Sequence, residues 1–529
     1  MKKYLLTLMI LVYLLGNISS QALSRVYNLI NGNEYGTEIF VGDKGYFVLT
    51  NGICDSGTGD SKACTSMISL NKSGDVINQF IFKNRLRFCA NTPIQVINDT
   101  IYIFGYNEFI VPWDWIIYKT NMNGDSLGKI TYNNFSEAKV AGRGIANKEE
   151  FLYLGGQTWD TGETKLQIVV VKMDKQGKVV KEERFLNVTK SKFHYQMHDI
   201  VALDDGNFVL LYTYIIESGR IPGIIKFDEN LNYIWHREFN HNDSYLRFPG
   251  ITALDKGDVL FNWEVYTPYL IDELGEEYKK YGRYPKTLYR IDKDGNTVWA
   301  DTMWTLISEN SPVAPRGDIY MMEQTKDGDI IGAGKYRKYE SLPINNWAWI
   351  FKYSKEGELL WEKIYEDQNI NENYSKFYDI MEALNGDIVC TGQMTDDDVW
   401  GGNADYTWVL RVDSNGCFEP GCGVADSVQL VYTYSDLVTG IDELVSDYSY
   451  HNGVIIYPNP ASAEINVELA GENNNALKWN VFNIQGSKIL SGTGNNILNI
   501  DISILEAGLY YVRVMDNKGK LRVGKFVVK

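Results

Sequence analysis

At 529 residues the chain is too long for one ordinary core and calls for several domains or a repeat array. It is 44% hydrophobic and 13% aromatic with only 12 prolines, which excludes a disordered chain. A net charge of −17 argues against nucleic acid as a partner.

Residues 1–20, MKKYLLTLMILVYLLGNISS, place two lysines before an apolar run and end in small residues, the pattern of an export signal. No later stretch is apolar for the length of a membrane span, so the mature chain is expected outside the cytoplasm with no transmembrane segment. Export permits disulfides. Cys54 with Cys64 and Cys417 with Cys422 are close enough in sequence to pair locally, while Cys89 and Cys390 stay unassigned.

From residue 42 onward two short phrases alternate. One begins at 42, 98, 148, 204, 255, 326 and 384, as in DDGNFVLLYT and LNGDIVCTGQ. The other places a turn at Gly74, Gly124, Gly177, Leu231, Gly295, Gly357 and Gly416, as in MDKQGKV and IDKDGNT, at intervals of 50 to 64 residues. Each phrase reads as a hairpin whose glycine accepts positive φ, so each unit is four short strands. Seven such units predict an all-β fold, a seven-bladed β-propeller over 21–423. The seventh unit loses its last strand at EPGCG, and residues 24–30, SRVYNLI, are expected to replace it and clasp the chain ends.

Trp235, Trp299 and Trp361 each stand four residues after a turn position, a G-x-x-x-W spacing that resembles quinoprotein and outer-membrane-assembly propellers. The phrases ADYTWVLRVDSNG and NNWAWIFKYSKEG also resemble the blades of secreted propeller proteins of Bacteroidota. These likenesses imply an architecture and no chemistry.

Residues 424–453 read as a linker. Beyond them the charge balance changes: 454–529 holds eight Lys or Arg and six Asp or Glu. Alternating apolar runs broken by Gly and Asn predict a small immunoglobulin-like β-sandwich. Tyr457, Pro458, Asn459 and Pro460, the turn Asn483–Ile484–Gln485–Gly486, the later Gly508, Leu509, Tyr510 and Tyr511, and the end Lys525 through Lys529 resemble the type A sorting domain of the type IX secretion system of Bacteroidota. The resemblance implies the secretion machinery as a partner and passage through the periplasm to the cell surface or the medium. It also implies removal of the domain after export. An ordinary immunoglobulin-like ligand-binding domain is the alternative for the same strands.

Candidate ligand-binding residues fall on the longer loops. VYTPYLIDELGEEYKKYGRYPK carries Tyr266, Tyr269, Tyr278, Tyr281 and Tyr284, amphipathic rings suited to sugar or peptide, though an insertion packing on its own blade needs the same residues. Trp400 adjoins Asp396, Asp397, Asp398 and Asp405, hard oxygen donors for calcium that lack the spacing of an EF-hand and also suit a solvated acidic loop. The Asp-rich turns, such as Asp292 and Asp294, read as turn chemistry. His194 and His198, on a strand, lie too far apart to share zinc. No nucleophile elbow or phosphate loop appears. The expected function is binding or adhesion to an extracellular glycan or protein. A polysaccharide hydrolase or lyase with paired carboxylates in the funnel, and a structural surface component, are the alternatives.

Overall fold

The computed structural model describes the chain outside residues 1–21, 29–33, 56–60, 83–85, 89–93, 108–113, 122–123, 134–139, 160–165, 186–193, 217–218, 240–249, 265–285, 307–312, 316, 339–344, 367–373, 397–403, 419–421, 423–424, 428–430, 435–453, 458–460, 470–476, 484–487, 496 and 516–520. It divides into two compact units between residues 441 and 442.

The larger unit is a succession of four-stranded antiparallel sheets. Glu34–Gly42, Gly45–Asp55, Ser61–Asn71 and Val76–Phe82 pair in chain order, and the meander recurs, for example as Val140–Lys148, Phe151–Trp159, Leu166–Asp174 and Val179–Phe185, or as Gly317–Gln324, Ile330–Lys338, Asn345–Tyr353 and Leu359–Glu366. Inner strands are buried on both faces: Ile168 through Met173 are all covered, so a near-continuous apolar run replaces alternation. The fourth strand, Val179–Phe185, is exposed at its start and half-buried over most of its length. First strands of successive sheets pack on one another, and Glu34–Gly42 packs on the sheet of Tyr374–Glu382. The arrangement is a β-propeller.

The last meander has three strands of its own, Tyr374–Glu382, Ile388–Asp396 and Ala404–Val412. Leu23–Asn28 pairs antiparallel with the third, Val26 opposite Trp408, and the Trp408 indole N–H donates to Ser24 Oγ at 3.1 Å. Within the stretch expected as linker, Val431–Tyr434 lies parallel to Leu23–Asn28 and Ala425–Ser427 parallel to Leu359–Glu366. Cys417 and Cys422 are bridged just before this strap, their Cα atoms 5.5 Å apart.

The repeated turns join the sheets as well as closing hairpins. In IDKDG the Asp292 carboxylate accepts from the amides of Asp294 and Asn296, so it is spent on its own turn. Gly295, at φ +87°, lies against the Trp235 ring of the preceding sheet; Gly357 lies against Trp299, and Gly416 against Trp361. Gly74, on the first sheet, meets Leu23, Arg25 and Tyr27 of the strand that pairs with Ala404–Val412. Where Leu231 takes the glycine place it sits at φ 59° with its side chain 1% exposed. A basic residue near the end of several third strands adds a second joint. Lys226 Nζ donates to Asp205 of its own sheet (2.6 Å) and to the Lys293 carbonyl of the next (3.1 Å), and Arg290 does the same with Asp258 and the Lys355 carbonyl.

The smaller unit has two sheets, one of Val454–Tyr457, Glu464–Leu469 and Ile497–Asp501, the other ordered Lys488–Gly494, Leu477–Asn483, Gly508–Met515, Leu521–Val528. Ile465, Val467, Val481, Val512, Val514 and Phe526 are shared in one buried cluster.

Candidate functional site

In several first strands one residue too many stands opposite the second strand. The register shifts leave Thr37, Arg143, His198, Tyr320 and Tyr378 as bulged residues, between Gly36 and Glu38, Gly142 and Gly144, Met197 and Asp199, Ile319 and Met321, and Phe377 and Asp379. A bulge re-aims a side chain out of the alternating pattern. Here the bulged side chains meet those of neighbouring sheets. Tyr378 lies 4.9 Å from Tyr320 and 5.1 Å from Tyr35, ring centre to ring centre.

Around these tyrosines stand charged and polar groups from the strand ends next to the inter-sheet connections. Lys376 Nζ lies 4.8 Å over the Tyr378 ring and 5.0 Å over Tyr374. Burial and then Lys335 push the Lys376 ammonium down to about 8. Asp318 accepts from Lys335 and Arg337 at 2.9 Å each; against the cost of burial, Arg337, Lys335 and Lys286 hold its carboxyl down to about 2. Gln393 reaches Tyr378 Oη at 3.5 Å and donates to Thr395, whose hydroxyl donates to Asp405 at 2.7 Å.

Farther along the same first strands lie three carboxyls with displaced proton affinity. Asp379 Oδ2 accepts the Ile39 amide at 2.7 Å and Oδ1 the Ile380 amide at 2.8 Å. Glu38 donates to Asp379: burial first, then the charges of Asp379 and Asp199, raise Glu38 well above the usual carboxyl range. Burial lifts Asp379 to about 7, and burial with Asp379 lifts Glu323 to about 8. Glu38 and Asp379 share a proton, and Asp379 binds backbone across the join between first and last sheets, while Glu323 answers to the Asp379 charge and to the backbone at Glu382. The hydrogen-bonded pair Glu38 and Asp379 does not stand apart with room between its carboxyls for a sugar and a water.

Of the residues singled out from sequence, Asp405 and His198 fall here, Asp405 as acceptor from Thr395 and His198 as a bulged residue, and most of the others do not. Tyr266, Tyr269, Tyr278, Tyr281, Tyr284, Asp397, Asp398 and Trp400 lie outside the described residues, and so do Cys89 and the side chains of Asp396, His194, Cys54 and Cys64. The strands carrying that last pair place Cys64 opposite Gly52 and Cys54 opposite Lys62. Cys390 is a buried free thiol. Among the described residues no group of acids, histidines and cysteines is arranged for a metal, and no helix is long and apolar enough to cross a membrane. Tyr35, Tyr320, Tyr374, Tyr378, Lys376 and Arg143 were missed because they lie in strands; their one trace was a polar or aromatic residue interrupting the apolar first strand of a repeat, as in YSKFYDIME.

In the smaller unit Tyr457 ends a strand opposite Asn466, with its side chain outside the described residues, as are Pro458, Asn459, Pro460 and Gly486. Gly508 pairs with Val528, Lys525 pairs with Tyr511, Tyr510 stacks on Phe526, and the Lys529 amide donates to the Ala461 carbonyl. Residues 455–529 match the family described as secretion system C-terminal sorting domain. The C-terminal unit is a type IX sorting domain. It addresses the propeller to the outside of the cell.

No curated protein matches the chain. Among solved structures it is similar to the β-propeller domain of the Trilobed protease from Pyrococcus furiosus, with 11% identity over 71% of this chain and 93% of that one and a TM-score of 0.38. It is similar to the extracellular domain of a proposed one-component system from B. thetaiotaomicron, with 12% identity and a TM-score of 0.37, covering 97% of this chain and 59% of that one. The GH93 alpha-L-arabinofuranosidase of Fusarium graminearum matches with 11% identity over 60% and 91% of the two chains and a TM-score of 0.37. At these scores no activity carries over.

Proposed function

We propose that the larger unit is a seven-bladed propeller, closed by Leu23–Asn28 as the outer strand of its last blade, that the smaller unit folds as an immunoglobulin-like sandwich, and that the propeller is an extracellular binding module for a glycan. The observation that carries the binding reading is the axial cluster of Tyr35, Tyr320 and Tyr378 beside Lys376 and Gln393. Aromatic faces flanked by donors and acceptors suit the alternating apolar and hydroxylated surfaces of a sugar. The tyrosines of 265–285 and Trp400 remain candidates for extending this surface. Calcium at Asp396, Asp397, Asp398 and Asp405 remains a proposal of the same kind.

A hydrolase or lyase is supported less well, since the acids with raised affinity for protons are tied to one another and to backbone. The test is a screen of the secreted protein against glycan and host-protein arrays, with and without calcium, each hit assayed for cleavage. Glycan binding that is lost in Tyr378→Ala, without turnover, supports the reading. Turnover would replace it with the enzyme, and binding only to protein would replace the ligand class.

A further inference from the structure

Lys376 lies within the first strand of the last sheet, YSKFYDIME, between Tyr374, which opens that strand, and the bulged Tyr378. It is 9% exposed, and its Nζ stands 5.0 Å from the centre of the Tyr374 ring and 4.8 Å from that of Tyr378. Among the described residues this ammonium makes no hydrogen bond and no ion pair, and the two ring faces are its neighbours instead. Other lysines buried to a like degree each reach an oxygen: Lys172 the Glu229 carbonyl at 2.9 Å, Lys175 the Glu150 carboxylate at 3.0 Å, and Lys226 the Asp205 carboxylate at 2.6 Å.

A ring face returns part of what an ammonium loses on leaving water, and a counter-charge ordinarily supplies the rest. The acids nearby are engaged with other groups: Asp318 accepts from Lys335 and Arg337, and Asp405 accepts the Thr395 hydroxyl. The residues bordering Lys376 each keep part of their surface in water. Tyr374 stands opposite Thr395, and Thr395 opposite Asp405, at strand ends beside the inter-sheet connections, and all three are half-buried. Tyr378 and Lys335 are half-buried as well. Lys376 pairs with Gln393, two residues in from that end, and at about 8 its ammonium keeps its proton at pH 7.

We propose that Lys376 is the anion-recognising residue of this surface, its ammonium pairing with the carboxylate or sulfate group of an acidic glycan that approaches from the strand ends. The proposal rests on the glycan-binding reading and gives the ligand its charge. A bound oxyanion supplies the oxygen that Lys172, Lys175 and Lys226 find within the protein. Lysine is a point charge that demands no planar match, so it accepts either anionic group.

The experiment uses the full secreted chain and three probes, polygalacturonate, dextran sulfate and neutral dextran, with binding measured by affinity electrophoresis. At pH 7 an acidic polymer is expected to bind at least tenfold tighter than dextran. Lys376→Met, which keeps the stem and removes the charge, is expected to lose at least tenfold toward the acidic probes, and Lys376→Arg to recover part of that loss. Affinity for those probes is expected to fall between pH 7 and pH 9 in the unaltered chain, as the ammonium gives up its proton, and to hold steady in Lys376→Arg. Near-UV circular dichroism establishes that each variant is folded, and Lys178→Gln, at an exposed turn, is expected to change nothing. The better acidic probe tells carboxylate from sulfate. Binding of a neutral glycan with no preference for acidic probes overturns the anion site and leaves the binding reading standing. An unchanged affinity in folded Lys376→Met also overturns it, and failure to bind any glycan, on the array or here, overturns both.

Discussion

Asp379 and Ile39, 340 positions apart in the chain, share a 2.7 Å hydrogen bond from the Ile39 amide to Oδ2 of the carboxyl group. The bond ties the first strand of the last sheet to that of the first sheet, and Glu38 sets its proton content. In the native state Asp379 and Glu323 hold protons to about pH 7 and 8, whereas the unfolded chain releases them near 4. The stability they contribute is full below about pH 4 and is lost as pH rises toward 8. Glu38→Gln, which keeps a donor toward Asp379, is expected to lessen the fall in Tm between pH 5 and 8. Identical pH profiles for the two proteins would exclude the shared proton.

His198 works in the opposite direction. Its unfolded ring takes a proton near 6.5 and its native ring only near 3, so the native state loses stability as pH falls through that window. His198→Gln, with an amide that can still reach Thr213, is expected to retain more of its neutral-pH Tm at pH 4 than the unaltered chain does. Equal losses on acidification would mean that the ring is free to ionise in the fold.

Gly357 and Gly328 separate the two demands made on a turn glycine. Both have positive φ, +92° and +89°, but a methyl group on Gly357 would meet Trp299 at 2.7 Å, whereas on Gly328 nothing lies nearer than 3.7 Å. Gly328→Ala is expected to cost only the backbone strain, about 1–2 kcal/mol. Gly357→Ala adds overpacking against the indole, for about 2–4 kcal/mol in all. Urea denaturation of both variants measures the difference, and equal costs would show that the indole yields freely.

That contrast marks what the sequence could and could not convey. The turn glycines and the Trp spacing were legible because each is local to one phrase. Trp235 packs on Gly295 of the next phrase, so the reason for the repeat lies between units and is invisible within any one of them. The segment SRVYNLI reads as an orphan because the last repeat lacks a fourth strand, and Leu23–Asn28 pairs with Ala404–Val412. The axial tyrosines were not legible, since a bulge inserts one residue and reverses which side chains share a face: HYQMHDIVA gives no sign that Met197 and Asp199 flank an extra position. The tyrosines of the longest loop stand out in the sequence instead, because a long connection between strands is where function commonly sits.

The basic residue near the end of a third strand contrasts with Lys148, which ends the first strand Val140–Lys148. Lys226, 4% exposed, bonds Asp205 and the Lys293 carbonyl, whereas Lys148 meets a Glu229 side chain that is 48% exposed. Lys226→Met keeps the stem and leaves Asp205 and a carbonyl without their donor, at an expected cost of about 2–3 kcal/mol. Lys148→Met, at a solvated pair, is expected to cost about 1 kcal/mol or less. Equal costs would show that the joint between sheets draws nothing from burial.

Removal of Leu23–Asn28 tests the clasp. The segment fills the edge of Ala404–Val412, covers Trp408 with Ser24, and sets Tyr27 Oη 2.7 Å from the Gly74 carbonyl, to which it donates. Val26 and Tyr27 are fully buried, so deletion exposes two apolar clusters and a sheet edge together. A chain without it is expected to lose cooperative unfolding or to fall in Tm by about 10 °C or more, a large part of the stability of an ordinary domain. Deletion of Val431–Tyr434, which lies outside the same strand, is expected to cost much less. If the two deletions cost the same, the ring is held by its strap and the six-residue strand is not the closure.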